Sequence, residues 1–167
     1  AYRWAREIGA DYLECDMQVS KDGVVLALHD DNLKRTTNIE TVFGETLPRE
    51  IRKNYYMKIG YSETEAEEKV KADEANFVPN LPAYYTYEEL LMLDAGSWFN
   101  NENLEEALPG LAKEKQYIST LEDLIMYSKG YRLIRDRNQP GMPRQYSIVG
   151  KTGETIPSLS GTADIVK

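Results

Sequence analysis

A chain of 167 residues can bury one substantial core, and 41% of its residues are hydrophobic, as in ordinary globular proteins. Its 20 Lys and Arg against 28 Asp and Glu leave a net charge of −8, which disfavours nucleic acid or an anionic membrane as partner because both attract clustered cations. A single cysteine excludes an internal disulfide and a cysteine-based zinc site, and no apolar run reaches the roughly 18 residues of a membrane span.

The first part of the chain predicts a helix followed by a β-hairpin. Apolar residues recur at helical spacing at Ala1, Trp4, Ala5 and Ile8. Gly9 is suited to end that helix. Residues 11–19, DYLECDMQV, alternate between apolar and polar side chains, which predicts a strand. The turn at 21–23, Lys-Asp-Gly, leads directly into the apolar run VVLAL, so the two segments are expected to pair as a hairpin.

A two-residue turn at Asp22 and Gly23 defines the register of this hairpin. The opposed pairs are then Lys21 with Val24, Val19 with Leu26, Met17 with Leu28, and Asp16 with His29. One face would carry Glu14, Asp16, Ala27 and His29, and the other, packed against apolar neighbours, would carry Met17, Val19, Leu26 and Leu28. A longer turn would shift this register by a residue or two.

The rest of the chain is predicted to be mainly helical up to residue 130. Residues 39–83 change in character and are interpreted as an insertion. Three capping signals predict helix starts: Ser62 with Glu65, Thr86 with Glu89, and Thr120 with Glu122 and Asp123. The first predicts a charged surface helix, the second an apolar helix over YEELLMLDAG, and the third a helix closed by Gly130.

The predicted hairpin holds the residues best suited to chemistry. Glu14 and Asp16 offer two hard oxygen ligands, which suit Ca²⁺ or Mg²⁺ and leave positions for water and a substrate oxygen. His29 titrates near neutral pH and can move a proton to or from a reacting oxygen. The neighbouring Asp30 would orient the imidazole or cap the next turn. A solvated strand face with a structural histidine is the alternative, and the residues alone favour the two readings about equally.

The order of several motifs is more specific. IGADYLECDMQVSKDGVVLALHDDNLKRTTN, followed by YTYEELLMLDAGSWFN and ISTLEDLI, resembles the glycerophosphodiester phosphodiesterase family over residues 1–38 and 84–125. The resemblance implies an α/β fold, a portion of a (β/α)₈ TIM barrel over residues 1–167 with an inserted segment at about 39–83. It also implies metal-dependent hydrolysis of small-molecule glycerophosphodiesters to glycerol 3-phosphate and an alcohol. Glu14 and Asp16 match metal ligands for Ca²⁺ or Mg²⁺, and His29 matches one of two catalytic histidines.

Some parts of the family pattern do not occur between residues 1 and 167. These are the His-Arg-Gly motif of the first strand, the Pro-Glu-Asn-Thr motif that follows it before the first helix, and the later Glu-x-Lys strand with the third metal carboxylate. About 250 residues form a complete barrel, so this chain is expected to be a partial catalytic domain. It is expected to be inactive alone, because one catalytic histidine and one metal ligand of the family pattern are missing from it. The long insertion favours a periplasmic or secreted bacterial enzyme.

Other interpretations are a phospholipase D-like enzyme of the same superfamily and a non-catalytic homologue that binds a ligand. The Tyr-Glu-Glu-Leu and Leu-Asp-Ala-Gly segments favour the phosphodiesterase over the phospholipase. Trp98 and Phe99 are candidates to line a substrate site, although loop aromatics more often anchor packing.

Overall fold

The computed structural model describes residues 2, 5, 8–102, 105–106, 115–129, 131–133, 146–148 and 164–165, which form a mixed α/β structure. Tyr2 and Ala5 are helical, and the amide of Ala10 donates to the carbonyl of Ala5 at 3.0 Å. Gly9 has a φ of +84°, the left-handed conformation that glycine adopts without strain at a helix end. The predicted helix end is therefore confirmed, whereas Ala1 and Trp4 lie outside the described residues.

The described strands are short and pair two by two. They are β1 (Tyr12–Leu13), β2 (Met17–Val19), β3 (Val25–Ala27), β4 (Tyr131–Leu133), β5 (Tyr146–Ile148) and β6 (Asp164–Ile165). Strand β1 pairs in parallel with β6, while β2 with β3 and β4 with β5 pair antiparallel. A parallel pair formed by strands so far apart in sequence requires a crossover connection, which is the arrangement of α/β folds.

The alternating segment 11–19 is not the single strand that its pattern predicts. It is divided into β1 and β2, with residues 14–16 in the connection between them. The two strands have different partners, β6 for the first and β3 for the second, so the chain changes direction between them. Leu13 is buried in β1, but the apolar side chains of β2 are not.

The hairpin exists, but its predicted register is wrong by one residue. The observed pairs are Met17 with Ala27, Gln18 with Leu26, and Val19 with Val25. Leu26 is fully buried, and Leu28 packs against the main core, as expected. Met17 and Val19, in contrast, are 56% and 49% exposed, so the apolar face predicted to unite these four side chains does not form.

The cause of this shift is a three-residue loop in place of a two-residue turn. The amide of Ser20 donates to the carbonyl of Val24, and the amide of Gly23 donates back to Ser20, both at 3.0 Å. Gly23 has a φ of +82°, as expected at the last position of such a loop. The carboxylate of Asp22 accepts hydrogen bonds from the Ser20 hydroxyl and from the distant amide of Tyr87, which holds the loop in this form.

The described helices are α1 (Ile39–Val42), α2 (Arg49–Lys58), α3 (Glu63–Ala75), a 3₁₀ turn (Pro82–Tyr84), α4 (Tyr87–Leu90), α5 (Trp98–Glu102) and α6 (Leu121–Ser128). Of these, α3, α4 and α6 begin where the capping signals predict. Complete capping boxes are present at Ser62, Thr86 and Thr120. The expected end of α6 at Gly130 lies outside the described residues. No helix in the described part of the chain combines the length and apolar character needed to cross a bilayer.

Helix α4 is shorter than the segment YEELLMLDAG predicts. It ends at Leu90, and the next turns tighten, because the amides of Met92 and Leu93 bond three residues back. The chain then leaves the helical path to reach Asn38, whose side-chain oxygen accepts from the amide of Asp94 at 2.8 Å and whose amide donates to the carbonyl of Asp94 at 3.2 Å. This long-range contact outweighs the local helical preference.

Two apolar clusters hold the described elements together. The larger one consists of Leu26, Leu33, Ile39, Tyr85, Tyr87, Leu90, Leu91, Leu93 and Ile118. The smaller one joins α2 to α3 through Leu47, Tyr56, Ala66 and Val70. Phe77 packs against both, so the helical segment 39–83 shares a continuous apolar contact with the hairpin and α4.

Replacing Thr120 with alanine is expected to lower the free energy of unfolding by about 1–2 kcal/mol. The buried hydroxyl of Thr120 accepts a hydrogen bond from the amide of Asp123 at 3.2 Å, and alanine would leave that helix-end donor without its cap. Urea denaturation gives the change. Thr64→Ala, at an exposed helical position, is the matched control, and equal losses in both variants would contradict the capping role.

Candidate active site

Two carboxylates follow directly after the carboxyl end of the parallel strand β1. The strand ends at Leu13, and Glu14, Cys15 and Asp16 form the connection to β2. Glu14 and Asp16 are exposed, whereas Cys15 is half-buried. The carboxyl ends of parallel strands are where α/β barrels collect their functional groups. Glu14 and Asp16 therefore lie where an active site of such a barrel would be expected, although they belong to a connection and not to the predicted strand.

The connection carries negative charge that the described residues do not neutralise. Burial and the charges of Glu14 and Asp16 raise the pKa of the Cys15 thiol. Burial, followed by Cys15 and the same two carboxylates, raises the pKa of the Tyr2 phenol. No Lys or Arg of the described ranges forms an ion pair with either carboxylate.

Glu14 and Asp16 fit a hard divalent cation as a partial ligand set. Both offer oxygen donors, which Ca²⁺ and Mg²⁺ prefer, and neither is engaged by a cationic side chain within the described ranges. Across those same ranges, no group of three or more His, Cys, Asp and Glu side chains could hold a metal ion. Within the described ranges, Glu14 and Asp16 therefore offer oxygen donors but do not form a complete metal site.

His29 lies just after β3 and is held by its neighbour in sequence. Its side chain is 79% exposed, and its Nδ1 lies 2.8 Å from Oδ1 of Asp30. Since a carboxylate can only accept, Nδ1 donates and Nε2 is left for a reacting group. Arg35 donates two hydrogen bonds of 2.7 Å to the same carboxylate, from Nε to Oδ2 and from Nη2 to Oδ1. Of the two roles considered for Asp30, the contact supports orientation of the imidazole.

The three charged groups change one another's protonation. The hydrogen bond that His29 donates to Asp30 is the main cause that raises the pKa of His29, and the charges of Asp16 and Asp30 add to it. Hydrogen bonds from Arg35 and then His29 hold the pKa of the Asp30 carboxyl well below its usual range. Asp30 therefore remains ionised, and His29 keeps its proton to a higher pH than a free histidine.

The direct opposition of Asp16 and His29 is not observed. The carbonyl of Asp16 instead accepts from the amide of Leu28 at 3.0 Å, one residue before the predicted partner. The charge of Asp16 nevertheless contributes to the raised pKa of His29, so the two side chains act on each other across the hairpin. Glu14 precedes Asp16 by two residues in the same connection.

The two aromatic candidates have different environments. The guanidinium carbon of Arg35 lies over the Trp98 ring, 5.3 Å from its centroid. Phe99 meets Trp98 edge to face at 5.8 Å and is 39% exposed. Sequence reasoning missed the role of Arg35, because an Asp and an Arg five residues apart in an irregular loop produce no periodic signal. Its only trace was the Arg-Thr-Thr element of the family motif.

Comparison with known proteins agrees with the motif order. The sequence profile of the glycerophosphoryl diester phosphodiesterase family matches residues 1–137. The chain belongs to that family, and the prediction from the ordered motifs is confirmed.

The alignments with individual relatives span a larger share of this chain than of the relatives' own lengths. A glycerophosphodiester phosphodiesterase from Bacillus subtilis is 25% identical over 95% of this chain and 36% of its own length. Another, from Caldanaerobacter subterraneus subsp. tengcongensis, is 42% identical over 32% of this chain and 22% of its own length. A glycerophosphoinositol inositolphosphodiesterase from Mus musculus is 28% identical over 95% of this chain and 25% of its own length. The chain spans no more than 36% of these relatives.

Proposed function

We propose that the full-length protein hydrolyses glycerophosphodiesters to glycerol 3-phosphate and an alcohol. In this proposal the chain forms a portion of a (β/α)₈ barrel, with residues 39–83 inserted beside the site. The observation that carries the proposal is the exposed His29, held by Asp30 and influenced by Asp16, in a member of a phosphodiesterase family. Trp98 and Phe99 lie on α5, where the Trp98 ring contacts both the guanidinium of Arg35 and the ring of Phe99.

Glu14 and Asp16 would hold a divalent cation, Ca²⁺ or Mg²⁺. When bound, such an ion supplies positive charge that offsets the charge developing on the phosphoryl oxygens. Asp16 also places negative charge near His29, which favours its protonated form. Asp16 would thus act on both the metal and the histidine.

His29 would serve in proton transfer. In the expected route, the glycerol 2-hydroxyl loses its proton and its oxygen bonds to phosphorus, while the bond from phosphorus to the alcohol oxygen breaks and that oxygen gains a proton. Water then opens the cyclic phosphate to glycerol 3-phosphate. With Nδ1 bound to Asp30, the Nε2 atom of His29 is the one that accepts or delivers a proton.

Treatment of the full-length protein with EDTA is expected to abolish release of glycerol 3-phosphate from glycerophosphocholine, and added Ca²⁺ or Mg²⁺ should restore it. Glu14→Ala should weaken cation binding, measured by isothermal titration calorimetry, at least about tenfold, because one of the few ligands is lost. Glu68→Ala removes an exposed carboxylate of α3 and is the matched control.

Three other outcomes would contradict the proposal. Full activity after EDTA treatment would exclude the metal role. Turnover of lysophospholipids but not of glycerophosphocholine would favour the phospholipase D-like alternative. Binding of glycerophosphocholine without any product would favour a non-catalytic homologue.

A further inference from the structure

We propose that Arg35 and Trp98 are positioning residues that act through Asp30 on His29. This inference rests on the function proposed above and extends it from the reacting side chain to the groups that orient it. It assigns Trp98 a role different from that of a substrate wall. Three contacts in series link His29 to Trp98: His29 with Asp30, Asp30 with Arg35, and Arg35 with the Trp98 ring.

The first contact sets which ring nitrogen of His29 carries the proton. Asp30 Oδ1 lies 2.8 Å from Nδ1, so the proton of the neutral ring is held there and Nε2 keeps its lone pair. His29 has a side chain that is 79% exposed and receives no other hydrogen bond from the described residues. Its ring orientation and tautomer therefore depend on the orientation of one carboxylate.

The second contact fixes that carboxylate. A carboxylate bound through one oxygen can rotate about its side-chain bond, whereas two parallel bonds from a guanidinium define its plane. Arg35 makes both bonds at 2.7 Å, and its Nη2 shares Oδ1 with the imidazole. A lysine at this position would keep the charge but could not provide the planar fork.

The third contact holds Arg35 itself. Its side chain is 52% exposed, and binding Asp30 restricts it to one of the many rotamers that such a side chain can adopt. The Trp98 ring, 5.3 Å from the guanidinium carbon, covers one face of the group and favours the observed rotamer. Trp98 lies on α5, so the orientation of His29 depends on a segment distant in sequence.

The charges around His29 allow positioning to be distinguished from simple electrostatics. Asp16 and Asp30 raise its pKa, and the positive charge of Arg35 lowers it. If Arg35 acted only through its charge, its removal would raise the pKa of His29. If Arg35 holds Asp30 in place, its removal weakens the hydrogen bond that is the largest cause of the raised pKa, and the pKa falls.

The test is a ¹⁵N NMR titration of His29 in the full-length protein, with its resonances assigned by their absence in His29→Gln. The wild type should show the Nδ1–H tautomer. Arg35→Gln and Arg35→Lys should both lower the pKa of His29 and mix the tautomers, and Trp98→Leu should do so more weakly. Their kcat on glycerophosphocholine should fall roughly ten- to a hundredfold with little change in KM. Lys34→Gln, which removes an exposed cation paired with Glu40, should match the wild type.

Failure of the inference and failure of the proposed function give different results. A pKa that rises or stays constant in Arg35→Gln, with the tautomer unchanged, overturns the positioning role even if the wild type is active. Full restoration by lysine would show that charge alone matters and would also overturn it. If the NMR changes occur but the wild type does not hydrolyse glycerophosphocholine, the proposed function fails and the orienting contacts stand.

Discussion

Replacing His29 with alanine is expected to lower turnover of glycerophosphocholine at least about a hundredfold, the lower end of what a positioned acid or base contributes. Its side chain is largely exposed and hydrogen-bonds only to Asp30 among the described residues, so its removal should leave the fold intact. Steady-state kinetics of the full-length protein, with circular dichroism as the check on folding, measures this loss.

Asp16→Ala should cause a loss of similar size, because it removes both a proposed metal ligand and a charge that acts on His29. Asp31→Ala is the matched control, since Asp31 is an exposed carboxylate without an ion pair or side-chain hydrogen bond in the described part of the chain. Wild-type activity in both His29→Ala and Asp16→Ala would reject the proposed roles.

The pH dependence of kcat/KM should contain a limb caused by the titration of His29. Because Asp30 and Asp16 raise its pKa, the limb caused by His29 should lie above the value of about 6.5 that is usual for histidine. A profile with its limb below that value would contradict the observed contact with Asp30.

Replacing Arg52 with alanine is expected to lower the free energy of unfolding by about 3–5 kcal/mol, because it leaves a buried carboxylate without its partner. Arg52 and Glu89 are both fully buried, and two bonds of 2.8 Å join the guanidinium to the carboxylate. Arg52 also donates to the carbonyl of Tyr84 at 2.7 Å and to the carboxylate of Asp73. Burial raises the pKa of Glu89 despite these bonds, so loss of Arg52 should drive it to take up a proton.

Arg49→Ala is the matched control for this effect. Arg49 lies in the same helix, α2, and forms ion pairs with Glu67 and Glu74, but all three side chains are more than a third exposed. Water and salt screen such pairs, so the control should change stability far less. Urea denaturation of both variants measures the difference. Equal losses in the free energy of unfolding would show that the buried pair contributes no more to stability than the exposed ones. Arg52→Met combined with Glu89→Leu should recover part of the stability, because no unpaired charge remains buried at these positions, while the amide of Thr86 loses the bond that Glu89 accepts from it.

The Arg52 network also bears on the candidate active site. Asp73, which Arg52 contacts, accepts from the Tyr56 hydroxyl at 2.8 Å and pairs with Lys21 in the hairpin loop at 2.8 Å. The amide of Lys21 donates to the carbonyl of Tyr85 at 2.8 Å. The hairpin that carries His29 is thus anchored on the helical segment 39–83, and disruption of the network should disturb both stability and activity.

Much of the local structure could be predicted because it depends on neighbours in sequence. The three capping boxes each join a residue to the one three positions later, and the helices begin where those pairs occur. Gly9 and Gly23 adopt the positive φ angles that glycine permits, at the helix end and in the hairpin loop. The order of the motifs was sufficient to indicate the family.

The family, the starts of α3, α4 and α6, and the candidate residues Glu14, Asp16 and His29 could thus be predicted from the amino-acid sequence. The arrangement of these residues depends on tertiary contacts. The hairpin register depends on the bond from Tyr87 to Asp22, and the orientation of His29 depends on Arg35 held by Trp98. The contacts of Tyr87 with Asp22 and of Trp98 with Arg35 join residues that are far apart along the chain, whereas a hydrophobic pattern or a capping signal extends over only a few residues. Only packing of the whole structure brings such groups within bonding distance.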